Sequence, residues 1–153
     1  MKTILAPVDF SAATDAVVAH AATLARTFRG RVVLLNVVQP PITVGDYAPV
    51  LENIATIVAY SEKAAAKHIA TLRNRLESEG IPAETVVVSG APIHAITEAA
   101  KKYAADYLVM GSHGHGAFYE LIVGSTTHGV LRHAPCPVVV IPVEKKHPAN
   151  PAR

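Results

Sequence analysis

Cysteine is all but missing from this chain of 153 residues: Cys136 stands alone, so no intrachain disulfide framework can hold the fold together. Charge is sparse too. Asp, Glu, Lys and Arg make up 17% of the residues and leave a formal net charge of +2, too small to argue for a nucleic-acid partner. The only basic doublets are Lys101-Lys102 and Lys145-Lys146. No apolar run is long enough to span a membrane. The opening MKTILAPVDFS has one lysine but neither a sustained apolar core nor a cleavage-like site, so it does not read as a signal peptide. These absences predict a soluble, cytoplasmic protein that meets neither membrane nor nucleic acid. A P-loop is missing as well. Neither glycine cluster holds the lysine of G-x4-G-K-[ST], which removes the fast NTPase machinery.

What is present is apolar and periodic. Half of the residues are hydrophobic, enough for one real core and against disorder over most of the length. A single domain is expected over residues 1–143, with 144–153 as a flexible tail. Residues 2–8 read as a buried strand with Asp9 at its end. Ser11 is placed to cap a helix in which Val17, Ala21, Leu24 and Phe28 repeat at helical spacing, and Gly30 ends it. RVVLLNVV (31–38) is a nearly continuous apolar, β-branched run, as suits a parallel strand covered on both faces. A loop over 39–49 precedes a long helix from Val50 to Ser78, with Val50, Ile54, Ile57, Ser61, Ala65, Ile69, Leu72 and Leu76 on its inner face and Gly80 and Pro82 stopping it. A third strand spans Glu84 to Val88. Pro92 then opens a helix with Ile93, Ile96, Ala100 and Tyr103 inward. A fourth strand runs from Asp106 to Met110, and a short helix from Ser125 to His133 turns Val130 and Leu131 inward. The fifth strand is Pro137 to Ile141. Strands alternating with helices predict an α/β fold, a doubly wound parallel sheet of five strands with helices on both faces.

The stretch from Asp106 to Pro137 carries the chemistry. Five of the nine glycines fall between Gly111 and Gly129. Three are spaced as Gly111, two residues, Gly114, nine residues, Gly124, and then Ser125. A buried strand running into such a loop, with hydroxyls at the start of the next helix, suits close approach of backbone to an anion such as phosphate. Ser125 reads as the N-cap of that helix. In doubly wound sheets the ligand crevice lies beyond the carboxyl ends of the strands where the winding reverses. The segments Asp9-Phe10-Ser11, Asn36 to Gln39 and Gly111 to Ser125 would converge there if the first and fourth strands were neighbours.

These residues resemble the universal stress protein family over roughly Met1 to Pro142. ILAPVDFS is similar to its first strand, VVLLNVV to its second, VVVSGAPIHAITEAA to its third strand and following helix, and DYLVMGSHGHGAFYELIVGSTTHGVLRHAPCPVVVIP to its C-terminal signature. Family members that bind ATP carry G-x2-G-x9-G-[ST], matched in full at Gly111, Gly114, Gly124 and Ser125. The resemblance implies strand order 3-2-1-4-5, a homodimer through the last strand (Pro137 to Ile141), and an ATP-binding regulatory protein of stress response that uses ATP with Mg2+. It places Pro7, Val8 and Asp9 beside adenine and ribose, and the Val37 backbone on the adenine edge. Met110 and Gly111 border the ribose and first phosphate, and Gly114, Gly124, Ser125 and Thr126 hold the phosphates. Asn36 stands where a histidine is common.

Asp9 suits a ribose hydroxyl or a magnesium ion, and equally a turn or cap. His113 and His115 could share a metal, but no third ligand sits at a fixed spacing, and solvated side chains are the expectation. Cys136, between two prolines, reads as a small hydrophobe. Glu120 reads as a solvated loop carboxylate. The related enzymes that split ATP to AMP and pyrophosphate use a Ser-Gly-Gly loop after the first strand, and Pro7-Val8-Asp9-Phe10-Ser11 replaces it here. No catalytic residue is assigned. The alternatives to regulation by binding are a dimeric scaffold with no nucleotide role, and slow ATP hydrolysis or autophosphorylation on Ser125 or Thr126.

Overall fold

A computed structural model describes residues 1–41, 49–112 and 123–142, with the backbone alone at 49–52. The chain alternates β1 (Thr3–Pro7), α1 (Thr14–Phe28), β2 (Arg31–Val38), α2 (Pro49–Ser78), β3 (Ala83–Ser89), α3 (Pro92–Lys102), β4 (Tyr107–Gly111), α4 (Ser125–His133) and β5 (Val138–Ile141). All strand pairs are parallel and the sheet order is β3-β2-β1-β4-β5. The doubly wound α/β expectation holds, and so does the strand order.

Side-chain alternation along the strands builds one core on each face of the sheet. Ile4, Ala6, Val32, Leu34 and Val109 pack with Val17, Val18 and Ala21 of α1 and Ile69, Leu72 and Leu76 of α2. Leu5, Val33, Leu35, Leu108 and Met110 pack with Ile96, Ala99 and Ala100 of α3 and Val130 of α4. Because both faces are covered, the central strands read as unbroken apolar runs instead of alternating ones.

Several local expectations are corrected. Ile57 is 52% exposed and Tyr60 76%, whereas Ala65, Ile69, Leu72 and Leu76 are buried. α2 has 30 residues and is about 45 Å long, while the eight residues of β2 span about 26 Å, so its first half extends past the sheet it packs on. Leu131 is 45% exposed: α4 has nine residues and turns only one narrow stripe, through Thr127 and Val130, onto the sheet. Ser11 does not cap α1. The helix starts at Thr14 with Ala13 as its N-cap and no side-chain cap bond, while Ser11 Oγ accepts from Ala13 N–H at 3.3 Å within the preceding turn. Nor does Ser125 cap α4: it is the first helical residue, and Gly124 stands at the N-cap.

Gly30 does not end α1 through its own backbone angles. Arg29 takes the left-handed position (φ 50°), and Gly30 N–H closes the helix onto Ala25 O at 2.8 Å. What Gly30 supplies is room, because a Cβ there would collide with the carbonyl oxygen of Lys2. Gly129, counted with the loop glycines in the sequence, has the same use: a Cβ would run into the Ile93 side chain where α4 packs on α3.

Candidate functional site

β1 lies between β2 and β4, with Ile4 opposite Tyr107 and Leu5 opposite Leu108. Chain winding reverses between β1 and β4, and their carboxyl ends open a crevice there. A cavity of about 140 Å³ occupies that crevice. Each helix of a parallel α/β sheet runs back against its strands, so helix N-termini gather at the strands' carboxyl ends. Here three of them reach the cavity wall: Ala13 and Thr14 of α1, Pro92 of α3, and Thr126 and Thr127 of α4. The first amides of each helix lack partners within the helix, and each helix dipole adds roughly half a positive charge, so the cavity favours an anionic ligand.

The end of β1 is fixed from behind. Val8 N–H donates to Leu35 O at 2.8 Å, and the buried Asn36 amide donates to Val8 O at 2.8 Å. Asn36 projects toward the α2 side of the sheet, while its neighbours Leu35 and Val37 line the cavity. The residue where a histidine is common therefore holds the β1 end in place and leaves the cavity wall to its neighbours. Asp9 Oδ1 accepts from Ser11 N–H at 3.0 Å, an Asx turn. Phe10 follows at φ 60°, a left-handed conformation costly for a bulky residue, with its ring stacked on His68 of α2 at a centroid distance of 4.0 Å.

The end of β4 is tied to α4. Thr127 Oγ1 donates to Gly111 O at 2.9 Å. Gly124 N–H donates to Ser112 O at 2.8 Å, joining the two ends of the glycine segment, and Ser112 N–H reaches Ile141 O of β5. Cys136 is half-buried beside the second core, and burial pushes its thiol pKa up, which keeps it in the protonated, inert form.

Of the residues singled out in the sequence, Pro7, Val8, Asp9, Val37, Met110, Gly111 and Thr126 line this one cavity. Gly124 and Ser125 stand beside it at the start of α4 without lining it. Gly114, His113, His115 and Glu120 lie outside the described residues, as do most of the 39–49 loop and the segment 144–153. Among the described residues no three His, Cys, Asp or Glu side chains gather as a metal site. Sequence reading gave no site role to Thr14, Ile96 and Thr127, which stand on the wall beside Gln39 of the segment expected to converge there. Thr14 stands one turn before Val17 on the inner face of α1, and that helical spacing was the available signal.

A five-stranded parallel sheet with helices on both faces and a crevice at its switch point defines a doubly wound α/β protein. The chain belongs to the universal stress protein family, whose model matches residues 1–142. It is 30% identical over 146 residues to Universal stress protein MJ0531 of Methanocaldococcus jannaschii, covering 95% of this chain and 84% of that one. Universal stress protein MJ0577 of the same organism is 26% identical over 152 residues. Its solved structure superposes with a TM-score of 0.83, covering 95% of this chain and 98% of that one. A universal stress protein from Archaeoglobus fulgidus, solved in complex with dAMP, shares the fold at 19% identity, with a TM-score of 0.62 and coverage of 92% and 97%. Among the described residues no helix is long and apolar enough to cross a membrane.

Proposed function

We propose that the protein binds an adenine nucleotide, ATP with Mg2+, in the switch-point cavity, and acts in stress response as a regulatory protein through that binding. One observation carries the reading: residues more than 100 positions apart, Pro7 to Asp9 and Met110 to Gly111, share one cavity wall with the N-terminus of α4. Apolar side chains, Val37 and Ile96, suit a base on one part of the wall, with Met110 and Gly111 bordering the ribose and first phosphate. Thr126 and the first amides of α4 suit phosphate oxygens, as Gly111, Gly124 and Ser125 of the full glycine spacing require. Gly114 completes that spacing from outside the described residues. Asp9 suits a ribose hydroxyl, or a magnesium ion whose remaining ligands would be phosphate oxygens and water. The dAMP complex of the Archaeoglobus fulgidus protein supports the nucleotide class.

Binding alone shifts a conformational population, so the reading needs no turnover. The described wall residues include one charged side chain, Asp9, and no lysine or arginine to stabilise a phosphoryl-transfer transition state. Calorimetry of nucleotide-stripped protein tests the reading. Mg-ATP gives heat and binds more tightly than GTP; no heat and no thermal shift at millimolar ATP overturns it and favours a scaffold.

Homodimerisation through the last strand belongs to the same proposal. β5 is an edge strand of apolar residues, Val138 to Val140 being only half-buried. Pro137 O accepts from Leu108 N–H of β4 and Ile141 O from Ser112 N–H just after it, so the alternating backbone groups of Val138 and Val140 point outward, where a second copy could pair with them. Val140→Pro removes one outward N–H. It is expected to turn a dimer into a monomer by light scattering, and a wild-type monomer at micromolar concentration refutes the interface.

A further inference from the structure

Thr14 is 8% exposed and lines the cavity, yet its Oγ1 is out of contact with solvent and has no hydrogen-bond partner. Two hydroxyls nearby are engaged: Thr127 Oγ1 on the wall donates to Gly111 O, and Ser11 Oγ, in the turn before α1, accepts from Ala13 N–H. Threonines elsewhere in the helices solve the problem locally. Thr23, Thr27 and Thr97 each donate to the carbonyl four residues back. Thr14 has no such recourse. It is the first residue of α1, and the chain four residues earlier is Phe10, turned away at φ 60°. A buried hydroxyl without a partner costs stability, and valine has the same shape without that cost. Helical threonine populates two χ1 rotamers, so one rotation exchanges its methyl and hydroxyl positions.

We infer that Thr14 is a binding contact of this cavity, its hydroxyl forming a hydrogen bond to the bound nucleotide. The inference rests on the nucleotide reading above and adds a residue that the glycine spacing does not include. The hydroxyl is then a group whose partner arrives with the ligand. Its removal should have opposite effects on the free protein and on the complex.

The test uses full-length wild type, Thr14→Val and Thr14→Ser, each stripped of nucleotide, with Mg-ATP as the probe. Thr14→Val is expected to melt about 3 °C higher than wild type without nucleotide, because an unpaired buried hydroxyl has been replaced by a methyl. It should bind Mg-ATP about three- to tenfold more weakly, the range one hydrogen bond supplies. Thr14→Ser, which keeps the hydroxyl, should bind within about twofold of wild type. Equal affinity of wild type and Thr14→Val overturns the inference and leaves the nucleotide reading standing. A lower melting temperature for stripped Thr14→Val also overturns it, since the hydroxyl is then satisfied in the free protein, by a buried water. No binding by wild type itself sinks both.

Discussion

At the amino end of the sheet, backbone meets backbone. Arg31 N–H donates to Lys2 O, Asp106 N–H to Thr3 O, and Val32 N–H to Pro82 O, all between 2.8 and 2.9 Å. The Asp106 carboxylate takes Lys2 Nζ at 2.7 Å and Thr3 N–H at 2.8 Å, and Gly30 lets the chain pass against Lys2. At the carboxyl end the same strands part around a cavity. A left-handed Phe10 follows the wall residue Asp9, Thr14 on the wall keeps an unpaired hydroxyl, and three helix N-termini face the cavity. One end satisfies its polar groups internally and closes; the other leaves helix amides and a hydroxyl without partners within their own helices. The difference suits the first end to stability and the second to the ligand binding proposed above.

Substitutions can break that division, and the largest effect is expected at the closed end. Gly30→Val forces a side chain into the Lys2 carbonyl and should cost about 3 kcal/mol, the upper range for overpacking. The melting temperature then falls by roughly 10 °C, while the folded fraction keeps its nucleotide affinity. A comparable loss of affinity per folded molecule would show that the two ends are not separable.

At the open end, Gly124→Val should do the reverse. Gly124 sits at φ −58° and ψ 159°, which any residue adopts, so only the weaker N-cap is lost and the melting temperature falls by about 2 to 4 °C. Mg-ATP affinity should drop more than about tenfold, because the Cβ stands at the start of α4 where phosphate is proposed to meet the backbone. Unchanged affinity by calorimetry would detach the glycine spacing from the ligand.

The smallest effect is electrostatic. The hydrogen bond from Lys2, then that from Thr3 N–H, holds the Asp106 carboxyl below the usual carboxylate range. A lowered folded pKa contributes stability above the unfolded pKa, and this is lost as pH falls through the folded value. Asp106→Asn should therefore be slightly less stable than wild type at neutral pH, and the gap should close on acidification through and below the usual carboxylate range. Chemical denaturation across that range measures it; a gap that widens toward acid has the wrong sign for this contact. Nucleotide affinity should not follow.

The sequence was legible wherever burial is two-sided or periodic. RVVLLNVV announced a central parallel strand because both of its faces are covered, and Ile69, Leu72 and Leu76 announced the packed half of α2. It misled at element ends. Ser11 and Ser125 have the chemistry of caps, but Ala13 and Gly124 hold those positions because the turns leading in fix the backbone first. Ile57 and Leu131 fit the helical period yet face outward, since periodicity says which stripe is apolar and not how far the covering sheet extends.

By itself, then, the chain determined the alternation of strand and helix, the two-faced burial of its central strands and the spacing of glycines after the fourth strand. Each of these is a local pattern of side-chain volume, polarity and backbone freedom. Only the tertiary structure decided that Leu5 meets Leu108, that Asn36 reaches back to Val8 while Val37 faces the cavity, and that Thr127 closes onto Gly111. Those contacts join segments up to about 100 residues apart, and hydrophobic burial, which drives the collapse, is non-directional and does not name its partners.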